Sequence, residues 1–134
     1  MTGPAPRLRQ VVPFLRVASM ESSLRFYVDG LGFELANRWV VDGRVRWCWL
    51  QGGGTALMLQ EFPRAGHDSW VPDGKVGVGV SINFICDDAR ALHRDASARG
   101  LSPTTPYVGN RMWVTTLTDP DGYHLDFESP AGLS

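Results

Sequence analysis

The hydrophobic and polar positions in the first half of the chain predict one strand, one helix and then three strands. Residues 11–17 alternate as in a strand, and Ser19 is a residue type that favours a helix N-cap. Apolar side chains then recur at helical spacing as far as Leu31, and Gly32 ends the pattern. Turn signals separate the three β-rich runs that follow, at 34–41, 44–50 and 55–60.

The second half repeats this order. Residues 78–86 alternate, Asp87 is predicted to cap a helix, and Gly100 is predicted to end it. Asp121-Gly122 turns the last hairpin among three further β-rich runs, at 104–108, 111–118 and 123–128. The same βαβββ order in both halves predicts an internal duplication.

This pattern predicts an α+β fold in which two βαβββ modules form a curved mixed sheet around a cup, with the helices on the outside. We expect a single domain over residues 1–134. Its first module covers 8–61, a connector rich in proline and glycine covers 62–75, and its second module covers 76–130.

Charge and composition narrow the range of partners. The 134 residues include 13 basic and 14 acidic side chains, so the net charge is -1. Without a basic run, this balance argues against binding to nucleic acid or to an anionic membrane. The chain shows no secretory leader pattern and no apolar stretch long enough to span a bilayer, so we expect a cytoplasmic protein. A small organic molecule remains as the expected partner.

Two segments carry a family resemblance. Residues 17–35, VASMESSLRFYVDGLGFEL, resemble the opening of the vicinal oxygen chelate superfamily, and residues 118–127, TDPDGYHLDF, resemble its final hairpin. Residues 84–100 are similar to the strand and helix of its second module. That superfamily includes glyoxalase I, extradiol dioxygenases and bleomycin-resistance proteins. The resemblance implies the paired-module fold and a homodimer whose clefts lie between or beside the subunits.

The resemblance also locates the positions at which the metal enzymes of the superfamily carry their ligands. These positions hold Val12, Met58, Ser81 and Asp126, of which only Asp126 is a carboxylate. A catalytic divalent ion needs about three protein ligands, so we expect no metal and no other cofactor. The alternative is a glyoxalase-like lyase or isomerase, or a dioxygenase-family enzyme. It would use a rearranged site of His124, Asp126 and Glu128, or Asp126 as a metal-free general base.

Strand alternation indicates which side chains line the cup. If Leu15, Val80 and Ile82 belong to the helix-facing set, their neighbours in sequence face the cup. Cys48 and Leu50 suit the core, which turns both tryptophans beside them to the cup. The predicted ligand-binding residues are Phe14, Arg16, Trp39, Trp47, Trp49, Met58, Gln60, Ser81, Asn83, His124 and Asp126.

Aromatic walls with a few hydrogen-bonding groups suit a planar or amphipathic organic ligand. The leading hypothesis is therefore metal-independent binding of such a compound, as in bleomycin-resistance proteins, with drug sequestration and antibiotic resistance as one case. Two other interpretations stay open. One is the enzyme described above, and the other is an interaction module in which Trp47 and Trp49 fill the core and bind nothing.

Overall fold

In the described part of the chain, the fold consists of two four-stranded mixed sheets and two helical segments. A computed structural model describes residues 3–4 and 7–132. The first module contains strands β1 (Phe14–Val17), β2 (Glu34–Val41), β3 (Arg44–Gly52) and β4 (Thr55–Glu61). The second contains β5 (Ser81–Ile85), β6 (Tyr107–Gly109), β7 (Met112–Thr118) and β8 (His124–Pro130). Between the first two strands of each module lie α1 (Met20–Leu24), which continues as a π-helix over Arg25–Gly30, and α2 (Ala89–Ala98).

The two sheets have the same topology. Their strand orders are β1-β4-β3-β2 and β5-β8-β7-β6, and in each the first strand runs parallel to the last. The predicted α+β class and the repeated βαβββ order are therefore confirmed. The strands form two separate sheets rather than one continuous sheet.

The helix starts show why one predicted boundary was wrong. Ser19 caps α1 as predicted, because its hydroxyl accepts the N–H of Ser22 at 3.3 Å. The cap of α2 is Asp88 and not Asp87. The extended backbone of Asp88 aims its Oδ1 at the N–H groups of Arg90 and Ala91, at 3.0 and 3.1 Å. Two adjacent aspartates are equivalent in sequence, and only the backbone distinguishes them.

Three predicted strands are shorter in the structure. The first begins at Phe14, directly after a proline, and β6 has only three residues. The run 78–86 becomes a strand only at Ser81, because Gly77 and Gly79 have positive φ values of 79° and 83° and turn the chain. As a result Val80, predicted to face the helices, is 63% exposed.

Both sheets bury one face in a shared hydrophobic core. The two modules meet there, where the rings of Phe33 and Phe84 pack edge to face at 6.1 Å. The opposite face of each sheet, called here its open face, carries the less buried side chains of each strand. The fully buried aliphatic residues of the core include Val17, Leu50, Leu57, Leu59, Leu117 and Leu125.

A buried glutamate joins α1 to the first sheet. Glu61 accepts the N–H of Met20 at 2.7 Å through Oε2, and its Oε1 pairs with Arg44 at 2.6 Å and with Arg46 at 3.2 Å. The carboxylate thus satisfies an N–H group at the helix start and also bonds to two guanidinium groups. Glu61 therefore helps to orient α1 on the sheet.

We expect Glu61→Gln to lower the free energy of unfolding by about 1–2 kcal/mol, because an amide keeps the bond to Met20 but loses the charge that binds both arginines. Urea denaturation followed by far-UV circular dichroism measures this loss. Glu21→Gln is the matched control, since the Glu21–Arg25 pair is exposed and contributes little. Equal unfolding midpoints for the two variants would contradict the assigned role of Glu61.

The turn between β7 and β8 links the two modules. Asp119 is 4% exposed, and its Oδ2 accepts the hydroxyl of Tyr27 at 2.7 Å. Its Oδ1 accepts the N–H groups of Asp121, Gly122 and Tyr123 at 2.8–2.9 Å. One carboxylate therefore holds the turn in shape and connects it to the π-helix that follows α1. Among the described residues, no helix is long and apolar enough to cross a membrane.

Candidate functional site

The open face of the first sheet is rich in aromatic side chains. Cys48 and Leu50 are buried in the core, so Trp47 and Trp49 on the same strand belong to the open face. Strand register arranges this face in two rows. One row contains Phe14, Met58, Trp49 and Asn37, and the next contains Arg16, Gln60, Trp47 and Trp39.

These aromatic side chains are accessible to differing extents. Trp39 is 55% exposed and Phe14 is 44% exposed, whereas Trp47 and Trp49 are half-buried. The indole N–H of Trp49 donates to Oε1 of Gln51 at 3.0 Å, which fixes the orientation of that ring. Asn37, which lies opposite Trp49, is an additional polar group on this face that alternation around β3 did not identify.

Arg16 is the basic side chain in these two rows. Its guanidinium carbon lies 4.8 Å from the ring centroid of Phe62, in cation–π contact. Its carbonyl oxygen accepts the hydroxyl of Tyr123 at 2.8 Å. The arginine therefore stands at the border between the aromatic face and the connector that begins with Phe62.

The open face of the second sheet is polar. Ser81 lies opposite His124, and Asn83 lies opposite Asp126. Asp126 accepts the Ser81 hydroxyl at 2.8 Å through Oδ2 and the Thr116 hydroxyl at 2.5 Å through Oδ1. The strands thus bring four of the predicted binding residues together. Thr116 joins them, and its role could be recognised only from the pairing of β7 with β8.

The donor set of this polar face fits a metal ion poorly. His124 Nε2 lies 3.3 Å from Asp126 Oδ1, and Glu128 follows on the same face. Yet over residues 3–4 and 7–132 no three histidine, cysteine or acidic side chains converge closely enough to hold an ion. Each oxygen of Asp126 already accepts a hydroxyl. The rearranged metal site gains no support from this geometry.

The two cysteines are not arranged as nucleophiles. Burial raises the pKa of Cys48 to about 11, and its Sγ lies 3.9 Å from the sulfur of Met20 in the core. Burial also raises the pKa of Cys86, which is half-buried. Both thiols therefore stay protonated at neutral pH, and neither is among the residues in the rows of the open faces.

The buried Tyr27–Asp119 pair belongs to the scaffold. Burial, followed by the charge and hydrogen bond of Asp119, raises the pKa of Tyr27 far above its usual range. Burial likewise raises the pKa of Asp119, although the hydrogen bond from Tyr27 and those of the turn act in the opposite direction. The phenol therefore keeps its proton and donates a hydrogen bond to the carboxylate at all physiological pH values.

Two βαβββ modules, each a four-stranded mixed sheet with one helical segment, define an α+β protein with the glyoxalase/bleomycin-resistance fold. The chain belongs to the Glyoxalase/Bleomycin resistance protein/Dioxygenase superfamily, whose family model matches residues 7–127. The resemblance seen in the sequence is thereby confirmed. A comparison with proteins of curated function finds no match.

Several solved structures share the fold. A bleomycin-binding protein in complex with bleomycin is 22% identical, with a TM-score of 0.67 and coverage of 91% of this chain and 98% of that one. TnmS3, an antibiotic-binding protein from Streptomyces sp. CB03234, is 21% identical, with a TM-score of 0.66 and coverage of 91% and 97%. A bleomycin resistance determinant encoded on transposon Tn5 is 21% identical, with a TM-score of 0.70 and coverage of 92% and 98%. At these identities the likeness establishes the fold alone.

Proposed function

We propose that this protein binds a small planar or amphipathic organic compound on the aromatic open face, without a metal ion and without altering the compound. The observation that carries the proposal is the placement of Trp39, Trp47 and Trp49 together on one open sheet face, outside the core. Indole rings contribute large flat contact areas, and each can stack on a planar ligand.

The polar groups beside the tryptophans support specific recognition. Arg16, Gln60 and Asn37 lie in the same two rows and supply hydrogen-bond donors and acceptors to an otherwise apolar surface. A mainly apolar wall with a few placed polar groups is typical of small-molecule sites. Since two structural relatives are described as binding bleomycin or an antibiotic, sequestration of an antibiotic is the physiological role we propose.

We further propose that the protein forms a homodimer and acts in the cytoplasm. In a single copy, large apolar side chains on the open faces and at the outer strands stay in contact with water. Trp39 is 55% exposed, Ile85 is 71% exposed and Tyr107 is 54% exposed. A second copy that covers part of these surfaces would convert an open face into a cleft and would exclude water from a ligand stacked on the tryptophans.

Titration with acridone, a neutral planar tricycle, and with bleomycin tests the proposal. We expect saturable quenching of tryptophan fluorescence by at least one of them, because a ring stacked on Trp47 or Trp49 perturbs the excited indole. The same titration in excess EDTA should give the same Kd. Absence of quenching by both compounds would contradict the proposal. A Kd that rises with the chelator, or chemical conversion of the bound compound, would favour the enzyme alternative.

A further inference from the structure

A second concave site lies where the two modules meet. The first sheet ends at β1 and the second ends at β5, since β1 pairs only with β4 and β5 only with β8 in the described chain. Between them opens a cleft of about 350 Å³, called here the seam cleft. Its lining comes from both modules and consists of Pro13, Phe14, Leu15, Gly77, Val80, Ile82, Tyr123 and His124.

We propose that the seam cleft binds an uncharged, apolar ring of a small molecule. Among the described residues no tryptophan lines it, so this site is separate from the aromatic face of the proposed function, although Phe14 borders both. Sequence alternation assigned Leu15, Val80 and Ile82 to the helix-facing core. Leu15 is buried in the core and Ile82 packs against it, as predicted, and both also line the cleft, whereas Val80 is exposed at its wall.

The chemistry of the lining selects the occupant. Within residues 3–4 and 7–132, no acidic, lysine or arginine side chain lines the cleft. Tyr123 contributes its ring, because its hydroxyl already donates to the carbonyl of Arg16 at 2.8 Å. A charged or strongly polar group would therefore lose its water without gaining a partner. His124, whose Nε2 lies 3.3 Å from Asp126, supplies one hydrogen-bonding side chain for a single polar substituent on the ring.

The wall of the cleft is held in place by close backbone packing. At Gly77, which has a φ of 79°, a Cβ would lie 3.0 Å from the Tyr123 ring and 3.2 Å from the Tyr123 backbone. Only glycine allows the loop to lie this close to Tyr123, the residue before β8. The N–H of Val80 then bonds to the carbonyl of Gly77 at 3.2 Å, which closes the turn that carries Val80 to the cleft.

The size and shape of the cleft favour a small ligand over a protein. Its volume lies at the lower end of the roughly 300–1,000 Å³ typical of ligand pockets, which is enough for one ring system. Val80 and Phe14 remain 63% and 44% exposed, so an apolar occupant would remove a large hydrophobic area from water. A protein partner would need a much broader surface than this groove.

Isothermal titration with 1-naphthol, an uncharged ring with one hydroxyl, tests this site in the full chain. We expect Val80→Trp to fill the cleft and to raise the Kd at least tenfold, and Val80→Asp to do the same by placing a charge in it. Val78→Trp and Val78→Asp are the matched controls. Val78 is also an exposed valine of the same loop, at 73% exposure, and does not line the cleft. Both controls should bind like the parent protein.

The outcomes separate this site from the tryptophan face. Loss of binding in the Val80 variants, with Trp47→Ala and Trp49→Ala unaffected, supports the seam cleft even if the proposed function fails. Loss only in the tryptophan variants overturns the seam cleft and leaves the proposed function standing. Absence of 1-naphthol binding in the parent protein also overturns it. Analytical ultracentrifugation gives a further test. If the parent protein is a dimer that Val80→Trp dissociates and Val78→Trp does not, the cleft is an interface between copies and the proposal is overturned.

Discussion

Trp47→Ala or Trp49→Ala should weaken the binding of a planar aromatic compound such as acridone by about 10- to 100-fold. Each substitution removes one indole from the open face, and the lost stacking and apolar contact together amount to about 1.5–3 kcal/mol. Both side chains are half-buried and lie outside the core, so the sheet should survive their truncation. Equilibrium dialysis measures the Kd without depending on the fluorescence of the deleted residue.

Trp113→Ala provides the matched control for this experiment. Trp113 lies on β7 of the second sheet, and the guanidinium of Arg90 stacks 4.6 Å from its ring centroid. Like Trp47 and Trp49 it is a half-buried tryptophan, but it lies in the second sheet and not on the aromatic open face of the first. We expect its loss to leave the Kd unchanged. If all three variants bound acridone as well as the parent protein, the aromatic face would not be the binding site.

Asp119→Ala is expected to lower the free energy of unfolding by about 3–4 kcal/mol. The substitution leaves the buried hydroxyl of Tyr27 and the N–H groups of Asp121 and Tyr123 without their acceptor, while Gly122 keeps its bond to the carbonyl of residue 119. It also breaks a link between the modules. Urea denaturation provides the measurement, and Asp119→Asn is the control. Asparagine keeps one oxygen for the turn, while its amide can donate to the Tyr27 oxygen.

A comparison of the parent protein with Asp119→Asn also tests how the stability depends on pH. Burial raises the folded-state pKa of Asp119 above the 3.8 of an ordinary aspartate, so between these values the folded protein holds a proton that the unfolded chain releases. The contribution of this proton to stability is complete below pH 3.8 and disappears as the pH rises through the folded-state pKa. The stability of the parent protein relative to Asp119→Asn should therefore decrease over that interval. A relative stability that increases there would contradict the raised pKa.

Much of the fold can be predicted from the sequence because local sequence signals and tertiary structure agree. The bounds of β2 match the β-rich run 34–41, and the helices end near the glycines that mark them. Disagreement arises where local pattern is ambiguous. The alternation of residues 78–80 is that of a strand, but the positive φ values of Gly77 and Gly79 place Val80 in a turn. The hydrophobic periodicity of a sequence alone gives no information on the sign of the backbone φ angles.

The candidate site is predictable only to the level of which side chains share a face. Alternation assigns Trp47 and Trp49 to the side opposite Cys48 and Leu50, as the structure has them. It contains no information on which strands pair or in what register. The position of Asn37 opposite Trp49 and the contact of Thr116 with Asp126 depend on that register. The seam cleft depends on the packing of two modules, which no local pattern encodes.

The bonds that tie the last turn to the first module set the order in which the chain can fold during synthesis. Tyr27 reaches Asp119 across 92 positions, Ala18 donates to Asp121 across 103, and Tyr123 donates to Arg16 across 107. A ribosome that has made only the first module has joined β1 to β4, but Ala18, Tyr27 and the carbonyl of Arg16 still lack their partners in the last turn. Completion must wait until the final hairpin leaves the exit tunnel. Slow translation before residue 119 would prolong the time during which chaperones or aggregation compete for the first half.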